Sequence, residues 1–531
     1  MTTFDHEKNR IGNQGNPGAC APAKSRRLLR ILLVCLVLAL LSVALLVWIF
    51  LLAKKPAGTY AALYLKDREL SYLDYAGGNQ GQLSAKLSEK EESDLRLSQK
   101  DLTLEPLCGV KNNRYLFFVQ NRKAYVDAYT MDLMVKDLTQ PDAAAVFIDT
   151  INCLDKYYVS EDASSVVYRK RDGTFDGTLC RYYREDGRRE VLAKNARKLH
   201  NVSADGKAVY YFDGDGGNRL LYGTEPRAEF SDVQMTEDAS AVYGVDGIWL
   251  CRLDRNTGET VDLEQGVSRI VAAYNGDRVY YNGEETEGDG HSLYYFDGKK
   301  SVLLTESYDR LYFCSPTTPV VVYQSTQTQE TFLCVEGKSV LLDFEKKPPY
   351  NVHVSPAGDC LYFVEITVPR YNCGPLVRMD LREEHFGNVQ TYAENVHSEN
   401  IFFLGDGRIA YYKLADDKMD LYVDGERIDG NLAMERSVAL SDGASPEERE
   451  RIVYYTDWST PGVKGTLRVW DGQTSVTVAE GVRDALVTSD GHVLYLKNTE
   501  QFKSELYEWY QGETKKIADG VHSLITVRLL R

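Results

Sequence analysis

The sequence predicts an all-β protein, a β-propeller of four-stranded blades preceded by one transmembrane helix. Three observations lead to this prediction. A strand marked by an apolar residue and then tyrosine recurs along most of the chain, tight Asp-Gly and Asn-Gly turns recur beside it, and one long uncharged run lies near the start. Together they indicate a repeat protein with a membrane anchor.

The recurring tyrosine strand is the strongest of these observations. Successive steps are 33 to 49 residues apart, which is typical of propeller blades built from short strands. The chain has 36 tyrosines against 17 phenylalanines and 5 tryptophans, and aromatic side chains suit the half-buried face of a strand. The steps, mostly Val-Tyr or Leu-Tyr, end at Tyr168, Tyr210, Tyr243, Tyr280, Tyr323, Tyr362, Tyr411, Tyr454 and Tyr495.

One complete unit is clear at residues 268–304. An Asn-Gly-Asp turn follows its first apolar run, and an Asp-Gly turn precedes its last strand, since these residues tolerate the backbone of tight turns. Four strands joined in this way make one propeller blade. The predicted strands are Ser268–Ala273, Arg278–Asn282, Ser292–Phe296 and Ser301–Leu304.

About nine such units are clear, and the ends of the chain add more. We expect the propeller at residues 151–531, and an irregular β region or stalk, alternatively the first blades, at residues 54–150. His522–Leu530 is one extra strand after the last full unit, and it predicts ring closure with strands between 56 and 150. The total of ten or eleven units exceeds the four to eight blades that propellers usually have. The sequence therefore leaves open whether the units form one large ring or two rings.

The start of the chain predicts a membrane anchor. Residues 1–27 form a polar, basic tail and residues 28–53 a transmembrane helix, whose uncharged core is Ile31–Ala53. These 23 residues span about 34 Å as a helix, enough for a bilayer core and longer than the apolar part of a cleaved signal peptide. Four basic residues lie in the last seven positions before this core, against two just after it. The positive-inside rule therefore predicts a cytoplasmic N-terminus and an extracellular C-terminal domain at the cell membrane.

The charge distribution argues against a nucleic-acid partner. The whole chain carries a net charge of −16, and residues 1–55 hold eight basic and two acidic residues, so residues 56–531 carry −22. An acidic domain without a basic stripe repels nucleic acid.

Motifs for catalysis and cofactor binding are missing from the sequence. It contains no Gly-x-Ser-x-Gly elbow, no His-Glu-x-x-His and no phosphate-binding glycine loop, so no catalytic or cofactor-binding residue is assigned. Cys180, Cys251 and Cys334 lie in predicted strands and are expected to be small buried side chains. Cys360 and Cys373 could form a disulfide across one hairpin if their Cα atoms lie close enough.

A weak calcium-binding pattern lies in one predicted loop. Asp213, Asp215 and Asn218 place oxygen ligands along a glycine-rich turn, which resembles part of a calcium loop but lacks the downstream glutamate. An ordinary hairpin loop is the simpler interpretation. A second acidic loop contains Glu284, Glu285, Glu287 and Asp289, which could bind Ca²⁺ together with the first loop if both faced one rim. A solvated charged loop is the simpler interpretation.

The repeat resembles two known groups of propellers. The run Ser/Asp-Asp-Gly-x-x-apolar-Tyr, followed by Leu-Tyr-x-x-Asp-Gly, is similar to TolB-like bacterial propeller repeats over roughly residues 150–520. The order of short tail, one span and outer propeller resembles the membrane-bound dipeptidyl-peptidase family, in which a hydrolase domain follows the propeller. No such pattern remains here, so the resemblance implies a fold and a tendency to bind partners, with no catalytic residue.

These observations favour a membrane-anchored extracellular binding or scaffolding module for a protein or glycan. An enzyme of glycosidase or lyase type, with carboxylates in the central funnel, is one alternative. A sensor subunit of a membrane complex is another. Candidate ligand surfaces are the acidic loops near 213 and 287 and the insertions at 366–375 and 442–452.

Overall fold

The structure is a computed structural model. The described residues all belong to the part of the chain at 56–531. The predicted transmembrane helix at 28–53 lies outside them. Within the part that is described, no helix has the length and apolar character needed to cross a bilayer. The structure describes residues 60–83, 108–125, 128–152, 156–171, 177–215, 217–226, 230–236, 238–254, 256–283, 291–342, 350–382, 386–404, 406–432, 438–439, 451–459, 464–500, 503–525 and 527–530.

The described residues form strands almost throughout. Apart from one 3-10 turn at Pro369–Tyr371, every regular element in these ranges is a β-strand. Consecutive strands pair antiparallel in groups of four, which we number as units in chain order. Within a unit the strands are called inner, second, third and outer, in order of pairing.

Units 1 to 4 contain strands β1 to β14. The inner strand of unit 1 is the second part of β39 (Glu513–Ile525). Strand β11 (Arg189–Val202) is the outer strand of unit 3 and also the inner strand of unit 4. The remaining strands are β1 (Ala61–Lys66), β2 (Glu69–Asp74) and β3 (Asn79–Gln82) in unit 1; β4 (Cys108–Lys111), β5 (Tyr115–Tyr125), β6 (Ala128–Asp137) and β7 (Val146–Asn152) in unit 2; β8 (Tyr157–Val159), β9 (Ser165–Arg171), β10 (Gly177–Tyr183) and β11 (Arg189–Val202) in unit 3; and β12 (Ala208–Asp213), β13 (Asn218–Tyr222) and β14 (Glu225–Pro226) in unit 4.

Units 5 to 8 follow the same order. Here β22 and β29 are the strands shared between neighbours. The strands are β15 (Asp232–Met235), β16 (Val242–Asp246), β17 (Trp249–Leu253) and β18 (Thr260–Gln265) in unit 5; β19 (Val267–Tyr274), β20 (Arg278–Gly283), β21 (His291–Asp297) and β22 (Ser301–Cys314) in unit 6; β23 (Val320–Ser325), β24 (Thr331–Val335) and β25 (Lys338–Leu342) in unit 7; and β26 (Tyr350–Val354), β27 (Cys360–Val364), β28 (Cys373–Asp380) and β29 (Val389–Phe403) in unit 8.

Units 9 to 11 complete the series. Strands β36 and β39 are shared in the same way. The strands are β30 (Ile409–Ala415), β31 (Lys418–Val423) and β32 (Glu426–Leu432) in unit 9; β33 (Val438–Ala439), β34 (Ile452–Ser459), β35 (Lys464–Trp470) and β36 (Ser475–Val487) in unit 10; and β37 (Val493–Glu500), β38 (Lys503–Tyr510) and β39 in unit 11, with β40 (Arg528–Leu529) pairing parallel to β4 of unit 2.

The crossover from one unit to the next has a common backbone conformation. At six crossovers a residue with positive φ comes directly before a buried side chain, such as Asn395 before Val396 or Gly520 before Val521. Only glycine, and less easily asparagine, adopts this conformation at low cost. The chain therefore bends from outer to inner strand at a fixed point. The six residues are Asn195, Gly266, Asn395, Asn431, Gly481 and Gly520.

The ring closes between the two ends of the chain. The second part of β39 pairs with β1, with Leu63 opposite Ile525 and Tyr64 opposite Leu524. This confirms the prediction that the C-terminal strand completes a unit begun by the N-terminal region. The expected single strand is divided in two, because β39 pairs with unit 1 and the short β40 pairs with unit 2.

Hydrophobic packing runs around the described strands in the same order. Each core cluster consists mainly of residues from two successive units. One of them joins Leu494 and Leu506 of unit 11 to Ala62 and Leu73 of unit 1. Stability therefore comes from contacts between neighbours, as in other repeat proteins. The region 54–150, predicted as irregular β structure or first blades, supplies β1 to β6 and part of β7.

The tyrosines of the repeat lie in this packing. Tyr168, Tyr280 and Tyr454 are fully buried. The inner strands also contact one another: Tyr158 Oη donates to His200 O at 2.5 Å, and Ile270 N donates to Asp232 Oδ2 at 2.9 Å. These features belong to a β-propeller, with inner strands around the axis and exposed outer strands at the edge.

Candidate functional site

The order of the strands creates two different rims. Because the strands of a unit alternate in direction, the connections between second and third strands lie at the same rim as the crossovers between units. We call this the crossover rim. The turns that follow the inner and third strands lie at the opposite rim, which we call the turn rim.

The turn rim is built from one repeated turn. In unit 4, Ser203 Oγ donates to Asp205 Oδ1 at 2.6 Å and accepts the N–H of Ala208 at 2.9 Å. Thr236 and Asp238 repeat this arrangement in unit 5, where Thr236 Oγ1 lies 2.7 Å from Asp238 Oδ1. Asp205 was visible in the sequence as part of Asp-Gly, whereas Asp238 is followed by Ala239. The Ser or Thr two residues earlier was missed, although its spacing to the aspartate was a usable signal.

Neighbouring turns on this rim bind one another. Glu161 N donates to Ala204 O at 2.7 Å, and Ala204 N donates to Ala239 O at 2.8 Å. Asn275 Nδ2 of unit 6 donates to Asp238 Oδ2 of unit 5 at 3.2 Å. From unit 3 to unit 6 the backbone and side chains of this rim are therefore used in contacts within the protein.

The predicted calcium loop lies on the crossover rim, between β12 and β13. Asp213 Oδ1 accepts the N–H groups of Asp215 at 3.1 Å and Gly217 at 2.8 Å, and its Oδ2 accepts from Arg219 Nε at 2.6 Å. The hydrogen bond from Arg219 is the main reason that the pKa of Asp213 is lowered. Asn218 Nδ2 donates to Ser231 O at 3.2 Å. The loop is thus an internally bonded hairpin connection, and calcium binding stays a prediction.

Metal ligands do not gather elsewhere in the described ranges. No group of three or more His, Cys, Asp or Glu side chains there is arranged to hold a metal ion. The second acidic loop, with Glu284, Glu285, Glu287 and Asp289, lies outside the described residues.

The insertion at 366–375 also lies on the crossover rim, in unit 8. It contains the 3-10 turn Pro369–Tyr371, and Tyr371 Oη donates to Asp417 Oδ1 of unit 9 at 2.9 Å. Ser398 N donates to Asn372 O at 3.0 Å, which holds the insertion against the next crossover. Most of the insertion at 442–452 lies outside the described residues.

A large apolar pair is exposed on the crossover rim of unit 5. Ile248, in the turn between β16 and β17, and Trp249, the first residue of β17, are each 40% exposed. Val267 N donates to Ile248 O at 2.9 Å, so the turn is fixed against the start of unit 6. Exposed tryptophan on a fixed turn is typical of contact sites in interfaces.

Six cysteines in the described ranges are free thiols. Cys360 and Cys373 do not form the disulfide that was considered for their hairpin. Cys373 is the first residue of β28, whereas Cys360 lies opposite Asp380, the last residue of β28, so the two thiols are at different ends of this strand. Cys180, Cys251 and Cys334 are buried, as expected. Burial, and then the neighbouring Asp262, raises the pKa of Cys251 to about 12, which keeps this thiol protonated and unreactive.

One histidine, His492, is closely surrounded by aromatic rings and carboxylates. The ring of His492 lies between Tyr75 and Tyr510, with both centroid distances 3.9 Å. Its Nδ1 lies 2.6 Å from Glu508 Oε1 and its Nε2 3.6 Å from Asp490 Oδ2. Both ring faces and both nitrogens are in contact with the protein, so the geometry suits a packing role better than catalysis.

Comparison with known proteins gives structural likeness only. No family model and no curated protein matches the sequence. The propeller domain of the Trilobed protease from Pyrococcus furiosus is similar at 13% identity and a TM-score of 0.29, covering 78% of this chain and 98% of that domain. Porphyromonas gingivalis dipeptidyl peptidase 4 is similar at 9% identity and a TM-score of 0.35, covering 75% of this chain and 59% of its own.

The tricorn protease is a third similar structure, at 13% identity and a TM-score of 0.20. The match covers 75% of this chain and 44% of the tricorn chain. The chain therefore spans about half the length of the tricorn and dipeptidyl-peptidase chains. The strand order and the packing between units are those of a propeller.

Proposed function

We propose that this protein is a membrane-anchored extracellular propeller that binds its ligand at the crossover rim. The exposed apolar pair of Ile248 and Trp249 on the crossover rim carries this proposal. Connections on both rims hydrogen-bond to neighbouring units, and the crossover rim also holds the irregular connections and this exposed pair. Binding residues are commonly carried by such loops on a rigid scaffold.

The ring geometry supports this assignment. We infer a single propeller in which each of the eleven units is one blade. The support is that the core clusters join successive units without a gap and include the contact of unit 11 with unit 1. A closed ring presents its crossovers at one end of the axis, where a single ligand can contact several units.

The membrane location rests on the sequence. The uncharged run Ile31–Ala53, with basic residues before it, supports a single span with the propeller outside.

The side of the membrane can be tested with Lys299 and Lys300, which are exposed in a turn of unit 6. A membrane-impermeant amine reagent should label them in intact cells. Labelling only after lysis would contradict the extracellular location.

Ligand binding can be tested with a photoreactive amino acid in the full-length protein in its own membrane. At position 249 on the crossover rim we expect a discrete cross-linked adduct that excess unlabelled protein suppresses. At position 299 on the turn rim, the matched control, we expect none. Equal adducts at both positions, or none at either, would refute binding at the crossover rim.

A further inference from the structure

Three basic residues hold the same place on three inner strands. Lys198 pairs with Phe212, Arg269 with Asn282 and Arg310 with Gln324. In each case the partner is the next-to-last residue of the second strand. The three basic residues are therefore equivalent positions in units 4, 6 and 7, where inner strands begin at the crossover rim. We call them the basic arc.

The basic arc is open to solvent. All three residues are exposed, and 69% of the Arg310 side chain is accessible. Arg310 forms an ion pair with its chain neighbour Asp309 at 3.6 Å, and Asp309 is itself half exposed. An exposed pair of this kind contributes little and leaves the guanidinium available to a second anion.

Unit 5 interrupts the arc with an acidic residue at the same position. Asp232 pairs with Val245, the next-to-last residue of β16. Its carboxylate accepts the N–H of Val233 at 3.0 Å and the N–H of Ile270 at 2.9 Å. The hydrogen bond from Ile270 places this carboxylate between the inner strands of units 5 and 6, and burial there raises the pKa of Asp232. The three basic side chains stay exposed.

The arc stands out against the charge of the rest of the protein. Residues 56–531 carry a net charge of −22, yet the inner strands of units 4, 6 and 7 present Lys or Arg at one register. The inner strand of unit 11 differs, because Arg483 donates to His522 O at 2.5 Å and Asp484 follows it. The three basic residues thus lie in units 4, 6 and 7, on either side of unit 5, which carries the exposed Trp249.

We propose that Lys198, Arg269 and Arg310 bind an anionic ligand that carries several carboxylate or phosphate groups. Guanidinium groups form paired hydrogen bonds with both kinds of anion, and lysine adds a point charge. The exposed Trp249, from the unit between, offers an apolar face to the same ligand. The inference rests on the proposed function and specifies the ligand chemistry for the crossover rim.

The test measures binding of fluorescent polyglutamate and polyphosphate to the full-length protein in a mild detergent. The arc variant is K198Q/R269Q/R310Q. The control is K299Q/K300Q/K515Q, which removes the same charge from exposed residues of the turn rim and an outer strand. We expect at least one probe to bind, with affinity that falls between about 50 and about 200 mM salt, as charge-driven binding does. Affinity should fall by about tenfold or more in the arc variant and by about twofold or less in the control.

Each result of this binding experiment either supports or overturns the proposed anionic ligand. Equal losses in the two variants, equal binding of neutral dextran, or binding of neither probe at low salt would overturn the anionic ligand. Retained thermal stability of the arc variant shows that a loss of affinity is not unfolding. If the probes fail but position 249 still gives its adduct, the crossover-rim function stands without the anionic ligand. If both fail, the proposed function fails too. Preference for polyphosphate over polyglutamate, or the reverse, identifies the anion.

Discussion

The ring of Tyr75 in unit 1 stacks on the ring of His492 in unit 11, with centroids 3.9 Å apart and planes 18° from parallel. Tyr510 covers the opposite face of the histidine at the same distance. The first and last units are thus joined on the turn rim by an aromatic stack, in addition to the pairing of β39 with β1. Both ends of the chain contribute to one joint.

This stack predicts a coupling between Tyr75 and His492. Replacing both by leucine in a double-mutant cycle should give a coupling free energy of about 0.5–1.5 kcal/mol, the range for aromatic pairs. Urea unfolding followed by tryptophan fluorescence measures it. The control is the stacked pair His200 and Tyr210, 4.8 Å apart inside unit 4, whose loss cannot open the joint between chain ends. Independent effects of Tyr75 and His492 would show that the stack contributes nothing.

The crossover glycines predict a backbone effect. Gly520 has φ +71°, and a Cβ added there would lie 3.9 Å from its nearest neighbour, Asp67 Oδ1, so alanine meets no clash. The cost of Gly520→Ala should therefore be conformational, about 1–2 kcal/mol. Thermal unfolding compared with Asn395→Gly, which keeps the left-handed conformation, checks this. A neutral effect of Gly520→Ala would mean that the crossover does not require positive φ.

The Ser/Thr-x-Asp turns predict a stability loss in acid. Burial works to raise the pKa of Asp238, but hydrogen bonds from Thr236, Ser240 and Asn275 lower it overall. A lowered folded-state pKa stabilises the protein above the unfolded value, near pH 3.9, and this stability is lost as the pH falls through the lower folded value. Asp238→Asn should reduce the melting temperature at neutral pH, and the difference should shrink below about pH 4. A constant difference across this range would contradict the assignment; Asp309→Asn, outside these turns, is the control.

The buried tyrosines predict a stability loss in alkali. Burial raises the pKa of Tyr210, Tyr281 and Tyr411 to about 12 each. Because the folded-state pKa lies above the unfolded value near 10, the stabilisation is complete below pH 10 and is lost as the pH rises towards about 12. Part of the rise in near-ultraviolet absorbance of tyrosinate should therefore come late and together with unfolding. A rise that is complete near pH 10, while the protein is still folded, would contradict the burial of these rings.

The sequence predicted the repeat well where the same residue type has the same packing role in each unit. Val-Tyr and Leu-Tyr steps mark second strands because the ring must fill the space between neighbouring units, and Tyr280 and Tyr454 are buried there. Unit 2 was predicted only as irregular β structure or a first blade, because β5 has Leu116, Phe117 and Phe118 in its core and no Val-Tyr or Leu-Tyr step. Unit 1 was predicted with the same two alternatives, and its inner strand comes from the C-terminal region of the chain.

The site was harder to predict, because it depends on contacts between units. Lys198, Arg269 and Arg310 are far apart in the sequence and become equivalent only through the strand register. The stack of Tyr75 on His492 joins the two ends of the ring, which no local pattern reveals. Asp213 was named as a weak calcium candidate from local spacing, which could not show its hydrogen bonds with Arg219 and two N–H groups of its own loop. Calcium binding there stays a prediction.

The pairing of β39 with β1 is the most direct test of ring closure. Tyr64 lies opposite Leu524, and directly opposed residues of antiparallel strands have Cα atoms about 4.5–5.5 Å apart, within the range of a disulfide. The variant Y64C/L524C, oxidised under mild conditions, should give an intramolecular cross-link between the two peptides by mass spectrometry. The control Y64C/K515C, with the second cysteine on the outer part of β39, should give none. A cross-link found only between isotope-labelled and unlabelled copies, or none in the first variant, would contradict the closed ring.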